Sequence, residues 1–184
     1  MEKQHINLEI IFNKAEKLRN NGNFVEAINL FKKILKENPN FKPALNNIAN
    51  CYFKLNNYDL AENYYLSCLK LNQDNIVILN NLSLLYLKIK NFKKALSTLQ
   101  ESLNKNINQE SEIEKVAYCL TELNLLNKVD KFCKENIKKY PKNKIILSYY
   151  RRNLFELGKH EEALEAYQKE TGVIELDNDK VSIT

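Results

Sequence analysis

Hydrophobic residues near the start of the chain recur every three or four positions and predict two short amphipathic helices. One helix face contains Ile11, Ala15 and Leu18. After a polar turn at 20–23, a second face contains Ala27, Phe31 and Ile34. This spacing places each set on one side of an α-helix. The first forty residues are therefore predicted to form a helix–turn–helix unit.

The same pattern returns every 34 residues along the chain. The segment 22–27 has counterparts at 56–61, 90–95, 124–129 and 158–163, and each ends on a small residue. The small residues are Ala27, Ala61, Ala95, Val129 and Ala163. One helix pair cannot bury its apolar face alone, whereas a stack of pairs can. We predict five repeats, at 8–41, 42–75, 76–109, 110–143 and 144–170, after an N-terminal arm at 1–7.

The period and its columns of alanine and aromatic residues resemble the tetratricopeptide-repeat (TPR) family over nearly the whole chain. The closing proline of the family motif is absent from repeats two, three and five, and no repeat has its tryptophan. The resemblance implies an all-α fold, a right-handed superhelical solenoid of antiparallel helix pairs. It also implies that the first helices of the pairs line a concave groove that binds an extended peptide or a partner helix.

Asparagines recur in one presumed groove column as Asn13, Asn47 and Asn81, and Lys115 continues that column. A carboxamide both donates and accepts hydrogen bonds, so such a ladder could hold a peptide backbone, as it does in peptide-binding TPR arrays. The asparagine-rich composition of the chain is the alternative explanation. The candidate groove residues are Asn13, Asn46, Asn47, Asn50, Phe53, Asn80, Asn81, Leu84, Leu87, Lys115 and Tyr118.

A second family pattern, the clamp that binds a C-terminal carboxylate, is matched only in part. Asn50, Asn81 and Lys115 agree with it, but Asn46 and Ser111 stand where lysines are needed. Charge-assisted contacts hold a carboxylate, so losing these cations disfavours the clamp. Because five acidic and five basic side chains share the presumed groove, we expect an uncharged amphipathic peptide.

Composition and charge exclude several other functions. The net charge of +5 and the four spaced lysines at 128–138 are weak features for a nucleic-acid binder, and we expect no nucleic acid as a partner. No apolar run is long enough to enter a membrane. The sequence shows no evident metal-ligand cluster, Gly-rich phosphate loop or nucleophile–base pair. We therefore expect a cytoplasmic protein that is not an enzyme and has no cofactor or metal.

The C-terminal tail, 171–184, departs from the repeat pattern. Two alternating stretches flank a turn-rich centre at 177–179 and predict a short β-hairpin or an extended tail over the last helices. The leading hypothesis is an adaptor or scaffold that binds a protein or peptide partner in the groove. One alternative is a homodimer or larger assembly formed through the C-terminal end. Another is an arm that recruits substrates for a separate modification enzyme.

Overall fold

The computed structural model describes the backbone of residues 2–106, 108–171, 174–177 and 180–183, and the side chains of 8–106 and 108–171. Within this part of the chain there are ten α-helices. They are α1 (Glu2–Asn20), α2 (Phe24–Glu37), α3 (Lys42–Lys54), α4 (Tyr58–Leu71), α5 (Ile76–Lys88), α6 (Phe92–Lys105), α7 (Glu110–Glu122), α8 (Leu126–Lys139), α9 (Lys144–Glu156) and α10 (His160–Thr171). The predicted all-α helical repeat solenoid is confirmed.

The chain divides into two compact units, Met1–Asn91 and Phe92–Thr184. In unit 1 each helix from α1 to α5 packs on the next, and α3 also contacts α1 and α5. In unit 2 each helix from α6 to α10 packs on the next, and α7 also contacts α9. The odd-numbered helices of each unit therefore lie side by side.

Helices α3, α5, α7 and α9 begin 34 residues apart. Their first residues are Lys42, Ile76, Glu110 and Lys144. Helix α1 begins earlier, at Glu2, so the segment assigned to an N-terminal arm is helical from its second residue.

The small-residue column is buried in every repeat. Ala27, Ala61, Ala95, Val129 and Ala163 all have 0% of their surface exposed. The larger residues four positions later fill the space beside them: Phe31, Tyr65, Leu99 and Cys133 are 0–2% exposed. In the last repeat the corresponding Tyr167 is 42% exposed, because no further helix pair follows α10 in the described residues.

A left-handed residue joins the two helices of every pair, again at 34-residue intervals. These residues are Gly22 (φ 82°), Asn56 (φ 59°), Lys90 (φ 57°), Asn124 (φ 52°) and Gly158 (φ 72°). At Lys90 the amide donates to the Leu87 carbonyl at 3.0 Å, and the Asn91 amide donates to the Tyr86 carbonyl at 2.8 Å. This is the Schellman ending of a helix, which favours glycine and tolerates asparagine.

Lys90→Gly is expected to stabilise the protein by about 0.5–1 kcal/mol, because it relieves the left-handed strain of a residue with a Cβ. The free energy of unfolding from urea denaturation measures this gain. Lys33→Gly is the matched control, since Lys33 is an exposed lysine inside α2, and it should lose about 1 kcal/mol. A loss from Lys90→Gly comparable with that of the control would contradict the assignment of strain to this turn.

The tail contains two antiparallel strands, β1 (Ile174–Asp177) and β2 (Lys180–Ile183), with Ile174 opposite Ile183. The alternating pattern predicted a hairpin or an extended tail here, and the backbone forms the strand pair. Its predicted packing over the last helices depends on side chains that lie outside the described residues.

Candidate protein-binding groove

The candidate groove residues all lie on odd-numbered helices. Asn13 is on α1; Asn46, Asn47, Asn50 and Phe53 are on α3; Asn80, Asn81, Leu84 and Leu87 are on α5; Lys115 and Tyr118 are on α7. The first nine belong to unit 1 and the last two to unit 2. Each unit therefore has its own candidate surface.

Asn47, in the middle of the predicted ladder, is an internal connector. It is only 5% exposed. Its Oδ1 accepts a hydrogen bond from Arg19 Nη1, and its Nδ2 donates to Glu16 Oε1 at 3.4 Å. Arg19 and Glu16 also form an ion pair at 3.6 Å. This network ties α3 to α1, so both polar atoms of the Asn47 amide are already engaged.

Other predicted groove amides bond within unit 1 as well. Asn81 Nδ2 donates to Asn46 Oδ1 at 3.3 Å and so links α5 to α3. Asn50 Oδ1 accepts from the Tyr65 hydroxyl at 2.5 Å. Asn80 is half-buried, whereas Asn13 is exposed on α1. Thus Asn13 is the ladder asparagine that stands open to solvent.

Apolar side chains are open on the same helices. Val77 and Leu84 lie seven residues apart on one face of α5 and are 62% and 45% exposed. Leu87 is half-buried. Phe53 packs edge-to-face on Tyr58, with ring centroids 5.8 Å apart. The surface of unit 1 therefore offers exposed aliphatic groups beside amides that are largely bonded to one another.

Two cavities in unit 1 were not predicted from the sequence, and each lies between an odd-numbered helix, the even-numbered helix after it and the start of the next odd-numbered helix. One has a volume of about 320 Å³ and is lined by Leu8, Glu9, Phe12, Ile34, Asn38 and Phe41. The other, of about 330 Å³, is lined by Lys42, Pro43, Asn46, Cys68, Asn75, Val77 and Ile78. Five lining positions of the first cavity recur in the second after 34 residues. The repeat thus produces the same kind of recess twice, first with an aromatic wall and then with a more polar one.

Lys115, which continues the predicted asparagine column, neutralises a buried acid. Its Nζ lies 2.8 Å from Glu112 Oε1, and Glu112 is 8% exposed. The residues at the position of Glu112 in neighbouring repeats are apolar and buried: Ala44, Ile78 and Ile146. This break in an apolar column was visible in the sequence and could have revealed the pair.

Tyr118 belongs to an aromatic cluster in unit 2. Its ring meets Phe92 edge-on, with centroids 5.6 Å apart, and lies 6.2 Å from Tyr149 of α9 at an interplanar angle of 38°. Burial raises the pKa of Tyr149, and the nearby Tyr118, Glu122 and Glu114 raise it further. Tyr118 and Tyr149 are both half-buried, so part of each ring remains accessible.

Asn143 organises the start of α9 beside this cluster. Its Oδ1 caps the helix by accepting from the Ile146 amide at 2.8 Å. Its Nδ2 donates to Glu110 Oε1 at 2.6 Å and to Glu114 Oε1 at 2.7 Å. Two carboxylates of α7 are thereby held next to α9.

The cysteines lack the features of a reactive site. Burial raises the pKa of the Cys51, Cys68 and Cys119 thiols to about 11 and that of Cys133 to about 12. They are therefore protonated near neutral pH and are poor nucleophiles. No group of three or more His, Cys, Asp or Glu side chains able to hold a metal ion occurs among the described residues. The helices in the described part of the chain are all too short or too polar to cross a membrane.

Comparison with known proteins supports the repeat assignment at two levels. Residues 18–74 match the tetratricopeptide repeat family model. No curated protein matches the chain by sequence. Among solved structures, a MamA protein is similar with a TM-score of 0.79 and 19% identity, over 89% of this chain and 89% of that chain. A MamA fragment from Desulfovibrio magneticus RS-1 is similar with a TM-score of 0.76 and 17% identity, over 88% of this chain and 92% of that chain.

YrrB, described as a TPR protein with an unusual peptide-binding site, is similar with a TM-score of 0.74 and 19% identity, over 87% of this chain and 82% of that chain. At these identities the structural similarities establish the fold. The family match covers residues 18–74, and the structural similarities extend the helical repeat fold over most of the chain.

Proposed function

We propose that the protein is an adaptor that binds an extended segment of a partner protein along α1, α3 and α5 of unit 1. The observation that carries this proposal is the pair of cavities at equivalent positions of successive repeats, about 320 and 330 Å³ in volume. Recesses of this size can accept side chains or small groups of a ligand. The exposed Val77 and Leu84 extend the apolar surface along α5.

The repeat geometry favours an extended ligand. Packed helices lie about 8–10 Å apart, which corresponds to about three residues of extended chain. A partner segment with apolar side chains at i and i+3 could therefore occupy both cavities. The aromatic wall of the first cavity suits a large apolar side chain, and the second suits a smaller or more polar one.

The predicted groove residues take different parts in this proposal. In the proposal, Asn13, Asn46 and Asn80 contact the backbone of the segment, and Phe53, Leu84 and Leu87 contact its side chains. Asn47, Asn50 and Asn81 hold the surface in shape through their internal hydrogen bonds. Lys115 and Tyr118 belong to the surface of unit 2.

The double variant Val77→Ser/Leu84→Ser is expected to weaken partner binding by about tenfold or more, because exposed apolar anchors contribute most of the energy of such interfaces. The tagged full-length protein would be used to recover partners from its native lysate, and the affinity of the recovered partner would then be measured by calorimetry. Both substitutions are on exposed side chains, so stability should change little.

The matched control is Val25→Ser/Leu60→Ser, on α2 and α4 of the same unit. These side chains are 57% and 37% exposed. A partner retained by the control and lost by the α5 variant supports the proposal. A partner retained by the α5 variant and lost by the control would move the binding surface to the even-numbered helices.

Self-assembly through the C-terminal end is a second candidate, favoured by the exposed face of α10. Leu164 and Tyr167 are 58% and 42% exposed, whereas the equivalent Ile28 and Phe31 of repeat one are 4% and 0% exposed. Arg151 covers part of this face, since its guanidinium lies 5.5 Å from the Tyr167 ring centroid. Recovery of only a second copy of the chain in the same experiment, with dimers in sedimentation, would favour this function instead.

A further inference from the structure

The surface between α7 and α9 combines accessible aromatic rings with carboxylates. Tyr118 of α7 and Tyr149 of α9 are neighbours, with ring centroids 6.2 Å apart and an interplanar angle of 38°. Phe92 supports Tyr118 edge-on, at an interplanar angle of 86°. These contacts hold the Tyr118 ring, and Tyr118 and Tyr149 are each half-buried, so part of each side chain stays accessible to a ligand.

The charged groups near these rings are mostly acidic. Glu122 is exposed one turn beyond Tyr118 on α7, and Asn143 holds Glu114 in place with a hydrogen bond of 2.7 Å. Glu122 and Glu114 are both within electrostatic reach of Tyr149, and Arg152 is the opposing cation there. The charge of Lys115 is compensated by Glu112, 2.8 Å away.

The sequence-based balance of five acids and five bases therefore conceals an uneven distribution. In unit 1 the acids Glu9 and Glu16 are outnumbered by Arg19, Lys54 and Lys88. In unit 2, once Lys115 is set aside because it pairs with Glu112, the remaining acids are Glu114 and Glu122 of α7 and Glu156 of α9, and they are opposed by Arg152 of α9. The surface of unit 2 is consequently acidic, and the uncharged ligand expected from the overall balance does not suit it.

We propose that the surface between α7 and α9 binds a cationic side chain, arginine or lysine, of a partner protein, with the cation over the faces of Tyr118 and Tyr149 and its charge met by Glu122 and Glu114. This inference rests on the proposed adaptor function and specifies the chemistry of one part of the partner. A guanidinium or ammonium is attracted to the negative face of an aromatic ring. Charge-assisted hydrogen bonds to carboxylates add to that attraction.

A pair of peptides that differ in one charge tests the proposal. The probes are acetyl-Gly-Ser-Arg-Ser-Gly-amide and the same peptide with citrulline, which is nearly isosteric and neutral. They are titrated at millimolar concentrations into full-length protein with isotopically labelled tyrosine rings, and the ring resonances are followed by NMR. We expect saturable shifts of Tyr118 and Tyr149 with the arginine peptide and about tenfold weaker binding of the citrulline peptide.

Two variants test the assignment of residues. Tyr149→Leu and Glu122→Gln should each weaken binding of the arginine peptide severalfold, and the effect of Glu122→Gln should shrink as salt is added. Because Glu122 is exposed, its substitution tests the site even if Tyr149→Leu disturbs folding. Glu135→Gln, an exposed acid on α8, is the matched control and should leave binding unchanged.

Equal shifts from the two peptides, or shifts from neither, would overturn the proposal. So would an arginine peptide whose affinity is the same for Glu122→Gln as for the wild type. These failures would leave the adaptor function intact if the partner recovered from the lysate still depends on Val77 and Leu84. Failure of the adaptor function itself would appear as recovery of no partner at all.

Discussion

Replacing Asn153 with leucine is expected to raise the free energy of unfolding by about 1–3 kcal/mol. Asn153 lies on α9 with 3% of its surface exposed, and neither Nδ2 nor Oδ1 has a hydrogen-bond partner among the described residues. Burying an amide without such partners costs free energy that a leucine, whose side chain has the same branching, does not incur. The equivalent residues in repeats two, three and four are Cys51, Leu85 and Cys119, all 0% exposed.

Asn47→Leu is the matched control, because it makes the same substitution at a second buried asparagine. The Asn47 amide bonds to Arg19 and Glu16, so its loss should destabilise the protein by about 1–2 kcal/mol. Urea denaturation followed by far-UV circular dichroism gives both values, and hydrogen exchange shows whether each change is confined to its own unit. Destabilisation by Asn153→Leu would mean that its amide has a stabilising partner after all.

The helical repeat fold could be predicted from the sequence because each repeat buries a small residue at the same position. A small residue every 34 positions has to be buried wherever two helices approach closely, and all five are fully buried. The residues in the turns between paired helices also agree with the repeat pattern. Gly22, Asn56, Asn124 and Gly158 suit the left-handed turns in which they lie.

The hydrogen-bond partners of the predicted asparagine ladder could not be derived from the sequence. The repeat period brings Asn46 and Asn81 of adjacent odd-numbered helices together, 35 residues apart in sequence, and they bond to each other at 3.3 Å. Periodicity alone does not distinguish asparagines that face a ligand from asparagines that bond to the next helix. Other asparagines, among them Asn57, Asn75 and Asn143, serve as helix caps.

The charge balance of the presumed groove has a related limit. Counting its five acids and five bases treats each side chain as independent, whereas Lys115 forms a pair with Glu112 at 2.8 Å. Because the charge of Lys115 is compensated by Glu112, the remaining acids of α7 outnumber the remaining cations counted on the surface of unit 2. The two cavities could not be predicted from the sequence pattern either, because each depends on how side chains from three successive helices pack together.

Lys115 is expected to contribute to the stability of the protein through its pair with Glu112. Lys115→Met is expected to lower the free energy of unfolding by about 1–3 kcal/mol, because it leaves the Glu112 carboxylate buried without its cation. The Glu112 side chain is 11% exposed and the Lys115 side chain 29% exposed, so the cost should fall below that of a fully buried pair. Lys131→Met, an exposed lysine on α8, is the control and should change stability by less than about 0.5 kcal/mol.

The double variant Glu112→Ile/Lys115→Met separates a structural role of Lys115 from a binding role. Isoleucine is the residue at the equivalent position of α5 and α9, where Ile78 and Ile146 are buried. Replacing both members of a buried ion pair by apolar residues is often neutral or stabilising, so the double variant should recover the stability lost by Lys115→Met. If stability returns and partner binding is normal, Lys115 acts through the fold. If the single variant keeps full stability and still loses the partner, Lys115 contacts the ligand as the sequence predicted.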